Sequence, residues 1–191
     1  MRMIFVLLGL ATLVGAAQPG TDDQPKFTTD GRLQFPVDYR EWVFLSSGIG
    51  MTYKSEATAQ HDPSFTNVFA APAAYKAFLK NGTWPDKTVL VLEVRASQSR
   101  GSINKAGHYQ TNREAVEVEV KDEKRFPGKW AFFDFSGRQS EPVQPIPQTM
   151  ECYSCHRTNT AVDNTFVQFY PTLLAIARQK GTVNEAAVAN H

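Results

Sequence analysis

The chain has 191 residues, 20 Lys+Arg against 19 Asp+Glu for a formal charge of +1, and 42% hydrophobic and 12% aromatic side chains. This balance offers no basic face to nucleic acid, and the apolar content is enough to bury a core, so wholesale disorder is excluded. The length suits one domain better than two.

Residues 1–17, MRMIFVLLGLATLVGAA, have the three parts of a signal peptide: basic Arg2, an apolar run from Ile4 to Val14, and small residues ending at Ala16 and Ala17. The expectation is a periplasmic or otherwise exported protein, cleaved near Ala16 or Ala17. The apolar run is too short to span a bilayer, and no later run approaches about 20 apolar residues, so membrane insertion is not expected. Removing Arg2 brings the basic residues level with the acidic ones.

Residues 18–34 are polar with Pro and Gly, which reads as a flexible arm before a domain over 35–180 and a tail over 181–191. Trp42 to Leu45 is extended, Ser46-Ser47-Gly48 reads as a turn, and a second extended piece is expected over Met51 to Tyr53. Phe65 to Phe69 is extended too. Pro72 at a first turn, Tyr75, Phe78 and Leu79 at helical spacing, and the stop Asn81-Gly82 predict a helix over 72–80. Thr88 to Arg95 reads as a central strand with Leu90, Leu92 and Val94 on one face. Ala115 to Val120 alternates, with Val116, Val118 and Val120 inward and Glu117 and Glu119 on the polar face. Trp130 to Phe135 is an aromatic strand between the turn residues Pro127-Gly128 and Ser136-Gly137. Glu141 to Gln148, with three prolines, is an extended connector. Near the C-terminus, Asp163 or Asn164 caps a predicted helix carrying Phe166, Phe169 and Tyr170, and Pro171 opens another that ends at Gly181. The fold class expected is α+β, an antiparallel β-sheet packed with a few helices.

The two cysteines carry the chemistry. Cys152-Tyr153-Ser154-Cys155-His156 is C-x-x-C-H, the attachment site of a c-type haem. Two thiols one helical turn apart can each add to a vinyl group of one porphyrin, and the adjoining imidazole then serves as the axial ligand. The competing readings are a local disulfide and a thioredoxin-like pair, but the latter belongs after the first strand of a βαβ unit. A zinc site lacks a second cysteine pair, and His61, His108 and His191 are isolated. One covalently attached haem c, held by Cys152, Cys155 and His156 with His156 on the iron, is the cofactor expected.

A haem motif this late in the chain, after several strand-like segments, fits neither the small cytochrome c layout nor a four-helix bundle. The motifs Tyr39-Arg40-Glu41-Trp42, Phe69-Ala70-Ala71-Pro72-Ala73-Ala74-Tyr75, Gly82-Thr83-Trp84-Pro85-Asp86-Lys87-Thr88, and Arg125-Phe126-Pro127 before Trp130-Ala131-Phe132-Phe133 accompany it. With the terminal Cys152 to His156 they resemble the cytochrome P460 family, which includes the cytochromes c′-β, over roughly residues 35–175. The resemblance implies an antiparallel sheet with helices, a homodimer, and one haem whose distal side is open to gases or small nitrogen species. In the catalytic members a sheet lysine is also joined to the porphyrin, and these proteins oxidise hydroxylamine. The cytochromes c′-β lack that link and bind nitric oxide and carbon monoxide in an apolar pocket. The lysine's position falls on Leu92, which cannot form the link; Lys87 and Lys105 are the nearest substitutes.

The implied activity is therefore binding or handling of nitric oxide, with hydroxylamine oxidation as the enzyme alternative and plain electron transfer, involving a redox partner protein, as a third. Glu117, with Glu119 beside it, lies near where catalytic members carry a proton-moving carboxylate, and the solvated face of a strand is its competing reading. For the sixth iron position the chain offers Met51, Met150, His61 and His108, and a vacant apolar side lined by Leu92, with Phe69 or Phe44, is expected instead.

Overall fold

The computed structural model describes residues 23–52, 62–138 and 141–189. Five strands form one antiparallel sheet in sequence order: β1 (Val43–Ile49), β2 (Phe65–Ala70), β3 (Val89–Gln98), β4 (Tyr109–Lys121) and β5 (Trp130–Asp134). Helix α1 (Pro72–Asn81) lies between β2 and β3, and α2 (Glu151–Asn159), α3 (Pro171–Lys180) and α4 (Glu185–Ala189) follow the sheet. The fold is α+β, as the strand patterns and helix signals predict. Among the described residues no helix is long and apolar enough to cross a membrane.

Register divides the central strands into two faces, because directly paired residues share a side of the pleat. Val89, Val91 and Glu93 of β3 pair with Val120, Val118 and Val116 of β4, and Val118 and Val120 pair with Phe133 and Ala131 of β5. This face is covered by rings from the N-terminal segment: Phe27 packs on Phe126 and Phe133, and Phe35 on Tyr39 and Phe135. The opposite face carries Leu90, Leu92 and Val94 of β3 against Glu119, Glu117 and Ala115 of β4, with Phe132 beside Glu119.

Several boundaries differ from the sequence expectation. The supposed flexible arm is packed from Asp23 onward. Leu33 is buried and bridges both Phe27 and Val143, and the Asp23 carboxylate accepts the Ala73 N–H at 2.7 Å. Helix α1 starts after Ala71, which has no capping side chain, so the segment supplies its cap from a distance. Ser46-Ser47-Gly48 is not a turn but part of β1, which shifts register between Phe44 and Ser46; the chain leaves it at Gly50, where φ is 63°. Tyr53, the end of the second expected piece, lies outside the described residues, as do the signal peptide, His61 and His191. The tail is partly helical, with Ala187 buried in α4 and Glu185 accepting two hydrogen bonds from Arg178 at 3.0 and 3.1 Å. Gly82 ends α1 at φ 75°, and a Cβ there would meet the Lys180 Cβ at 2.6 Å, so glycine is required both by conformation and by the approach of α3.

Glu93 is the one acidic side chain among the core valines of its face, 1% exposed. It accepts hydrogen bonds from the Tyr39 hydroxyl at 2.5 Å, the Arg40 guanidinium at 2.7 Å and the Asn67 amide at 3.3 Å, and Arg95 lies at 3.3 Å. Burial alone pushes its pKa up, but these four partners outweigh it and hold the carboxyl below its ordinary range. Glu93→Gln should therefore lower unfolding free energy at pH 7 by about 1–3 kcal/mol, read by urea unfolding. Because the folded-state pKa is depressed, the contribution is full above the unfolded value and fades as pH falls through the folded one. The gap between wild type and variant should close in acid; a gap independent of pH would contradict the assignment.

Candidate haem site

Helix α2 follows the proline-rich connector, whose Ile146 N–H donates to the Phe132 carbonyl, and starts after extended Met150. None of its residues is fully buried, so the helix stands on the sheet rather than within the core. Cys152 and Cys155 lie three residues apart on it, both as free thiols, Cys152 exposed and Cys155 half-buried. His156 packs against two aromatic rings, Phe132 of β5 at 4.4 Å and Phe166 at 4.6 Å between centroids, and Phe132 also packs on Tyr153 at 4.8 Å.

The His156 ring has a defined tautomer. Its Nδ1 is 2.8 Å from the Asn164 carbonyl, and a carbonyl can only accept, so the proton sits on Nδ1. In the neutral ring Nε2 then carries the lone pair, and it faces the sheet, 3.8 Å from Glu119 Oε1. Asn164 belongs to a two-residue turn, Asp163-Asn164, closed by the Val162–Thr165 bridge. Both turn residues have positive φ, 48° and 59°. This replaces the expected helix cap: Asp and Asn tolerate that backbone region, and a one-turn 3-10 helix over Val167–Phe169 stands where the longer helix was predicted.

Across from Nε2 lies the face that carries Glu119, Glu117 and Leu92. Glu117 and Glu119 are not two equivalent residues of a solvated edge. Glu119 is only 17% exposed in its side chain, and its Oε2 is buried without a hydrogen-bond partner. Burial pushes its pKa up, with His156 offsetting and Glu117 adding. Glu117 is more open; desolvation, then Asp134, raise it and His156 opposes them. Desolvation, with the Glu117 charge adding to it, pushes the Cys152 thiol up. Leu92 is half-buried and pairs directly with Glu117 on one side and Val68 on the other, which makes it an apolar neighbour of that carboxylate.

Phe69 and Phe44 do not line this face. Phe69 pairs with Val91, one residue out of phase with Leu92, and its ring packs on Tyr39 and Phe44 across the sheet. Met51 sits over Gly48 and Thr66, His108 is 3.4 Å from the Ser97 hydroxyl, and Met150 is exposed at the start of α2. Lys87 is ion-paired to Asp122 at 2.5 Å, and Lys105 is exposed in the loop between β3 and β4. That Asn164 supplies the carbonyl at Nδ1, and that the Phe132 ring packs on the imidazole, is not named in the sequence reading. The adjacent Asp-Asn was a turn signal for the first; nothing marked the second.

A family model for cytochrome P460 matches residues 36–167. The chain belongs to the cytochrome P460 family. It is thus a haem protein, and the match spans everything from the first one-turn helix at Tyr39–Glu41 to the turn that holds His156. No curated protein matches the chain. The residues present fit a haem of the c type. Two free thiols stand one turn apart on a half-exposed helix, and the adjoining imidazole turns Nε2 toward a face where Glu119 keeps one buried oxygen, Oε2, without a hydrogen-bond partner. Cys152 and Cys155 would take the thioether bonds and His156 would hold the iron.

This assignment of the P460 site predicts unequal effects on the visible spectrum. His156→Ala should destroy the native ligand field, whereas Met51→Ala, His61→Ala and His108→Ala should leave the resting spectrum nearly unchanged. A low-spin wild-type spectrum that turns high-spin in one of the last three would identify that residue as a sixth ligand and refute the open side.

Proposed function

We propose that the protein is an exported monohaem cytochrome of the c type that binds nitric oxide and related small ligands, as the cytochromes c′-β do. The haem, carried by Cys152, Cys155 and His156, supplies an iron with one side free for a diatomic ligand. The observation that carries this reading is Leu92, half-buried on the face turned toward α2 and paired with Glu117. A leucine offers no nucleophile for a bond to the porphyrin edge and no proton to relay, and its methyl groups favour uncharged ligands. Export rests on the signal-peptide pattern of residues 1–17. A homodimer and a redox partner protein belong to the same reading through the family resemblance.

One observation favours a second reading, a hydroxylamine-oxidising enzyme. Glu117 and Glu119 both have pKa values raised by desolvation above the ordinary carboxyl range, a direction that suits groups exchanging protons with a substrate. In that reading Glu117, the more accessible of the two, moves the proton, and Glu119 stands beside it on the same face, opposite Nε2.

Intact mass and turnover separate the two. The wild-type protein should carry a mass increment of one unmodified haem, absent from a Cys152→Ala, Cys155→Ala variant, and should show negligible hydroxylamine oxidation. Robust turnover, or a haem peptide joined through Lys87 or Lys105, would reverse the order of the readings.

A further inference from the structure

Lys121 closes β4 on the same face as Glu119 and is 8% exposed, an uncommon place for an ammonium. It donates to Asp163 Oδ2 at 2.6 Å and to the Trp84 carbonyl at 2.8 Å. The other carboxylate oxygen of Asp163 accepts from the Trp130 indole at 3.4 Å, so the Asp163 side chain is tied to β4 and to β5 together. On the far side of the turn, the Trp84 indole donates to the Thr165 hydroxyl at 2.8 Å, and that hydroxyl donates to the Val162 carbonyl at 2.6 Å.

These anchors bracket one peptide. The carbonyl that receives His156 Nδ1–H is that of Asn164, between Asp163 and Thr165. The flanking residues anchor it, through two tryptophans and one lysine. Strand β4 thereby meets the histidine from both sides, through Lys121 and the turn at Nδ1 and through Glu119 at Nε2. A turn with two consecutive non-glycine residues at positive φ has backbone alternatives open to it, and its side-chain anchors select among them.

We infer that Lys121 and Asp163 are positioning residues for the axial histidine: their ion pair holds the Asp163-Asn164 turn so that the Asn164 carbonyl accepts from Nδ1, and thereby sets the strength of the bond between His156 and iron. A hydrogen bond at Nδ1 makes the imidazole a better donor through Nε2. The inference rests on the reading of His156 as the iron ligand.

The test is the iron–histidine stretching band of the ferrous holoprotein in resonance Raman, together with its reduction potential. Lys121→Met and Asp163→Asn should move the band to lower frequency and the potential upward, since a displaced acceptor leaves a poorer imidazole donor. Lys121→Arg, which keeps the cation, should restore both toward wild type. Val91→Ala, a cavity on the opposite face of the sheet, should lower the melting temperature without moving the band. Should Lys121→Met yield no folded holoprotein, Asp163→Asn carries the comparison, because it removes the charge and keeps the shape. Wild-type band and potential in Asp163→Asn would overturn the positioning role alone. A band that survives in His156→Ala would instead overturn the ligand assignment, and the inference with it.

Discussion

The hydrogen bond from His156 Nδ1 to the Asn164 carbonyl decides which ring nitrogen can bind anything else. With Nδ1 committed to that carbonyl, Nε2 is the nitrogen left for a metal and is aimed at the sheet, and Phe132 and Phe166 pack against the ring. An axial ligand requires an imidazole fixed in one orientation with its second nitrogen turned toward the iron, and here the fold sets that orientation before any metal arrives. Everything else about the site follows from where that nitrogen points.

It points at a face of mixed character. On β3 and β4 the pairs Leu90–Glu119 and Leu92–Glu117 put an aliphatic residue beside a carboxyl group twice over. The opposite face handles acidity differently: Glu93 is surrounded by a hydroxyl, an amide and two guanidinium groups and stays ionised. Glu119 has no such company, and its buried Oε2 is unsatisfied. Two glutamates on opposite faces of one sheet thus shift in opposite directions because their neighbours differ, and that contrast sets the α2 side apart.

Much of this was legible in the sequence. The period-two pattern of β4 and the apolar run of β3 located the central strands, and the C-x-x-C-H spacing located the helix with its thiols and imidazole. What escaped the reading depended on partners distant along the chain. Alternation places Glu119 on the polar side of β4 but cannot show that α2 covers that side. The arm around Leu33 looked loose because its composition is polar, yet Asp23 caps α1 and Leu33 bridges to Val143. Asp163-Asn164 is compatible with a cap or a turn by residue type, and the Lys121 and Trp130 contacts decide for the turn. Phe44 and Phe69 failed as pocket residues by parity alone, one step out of phase with Leu92.

The central claim is an unmodified haem of the c type, bound by His156 on one side and open toward Leu92 on the other. The visible spectrum of the ferrous protein before and after carbon monoxide tests it most directly. The account predicts a high-spin spectrum with the Soret band in its ordinary position, shifting sharply when the gas is added. A strongly red-shifted Soret band, the sign of a modified porphyrin, or a low-spin spectrum indifferent to carbon monoxide would contradict it.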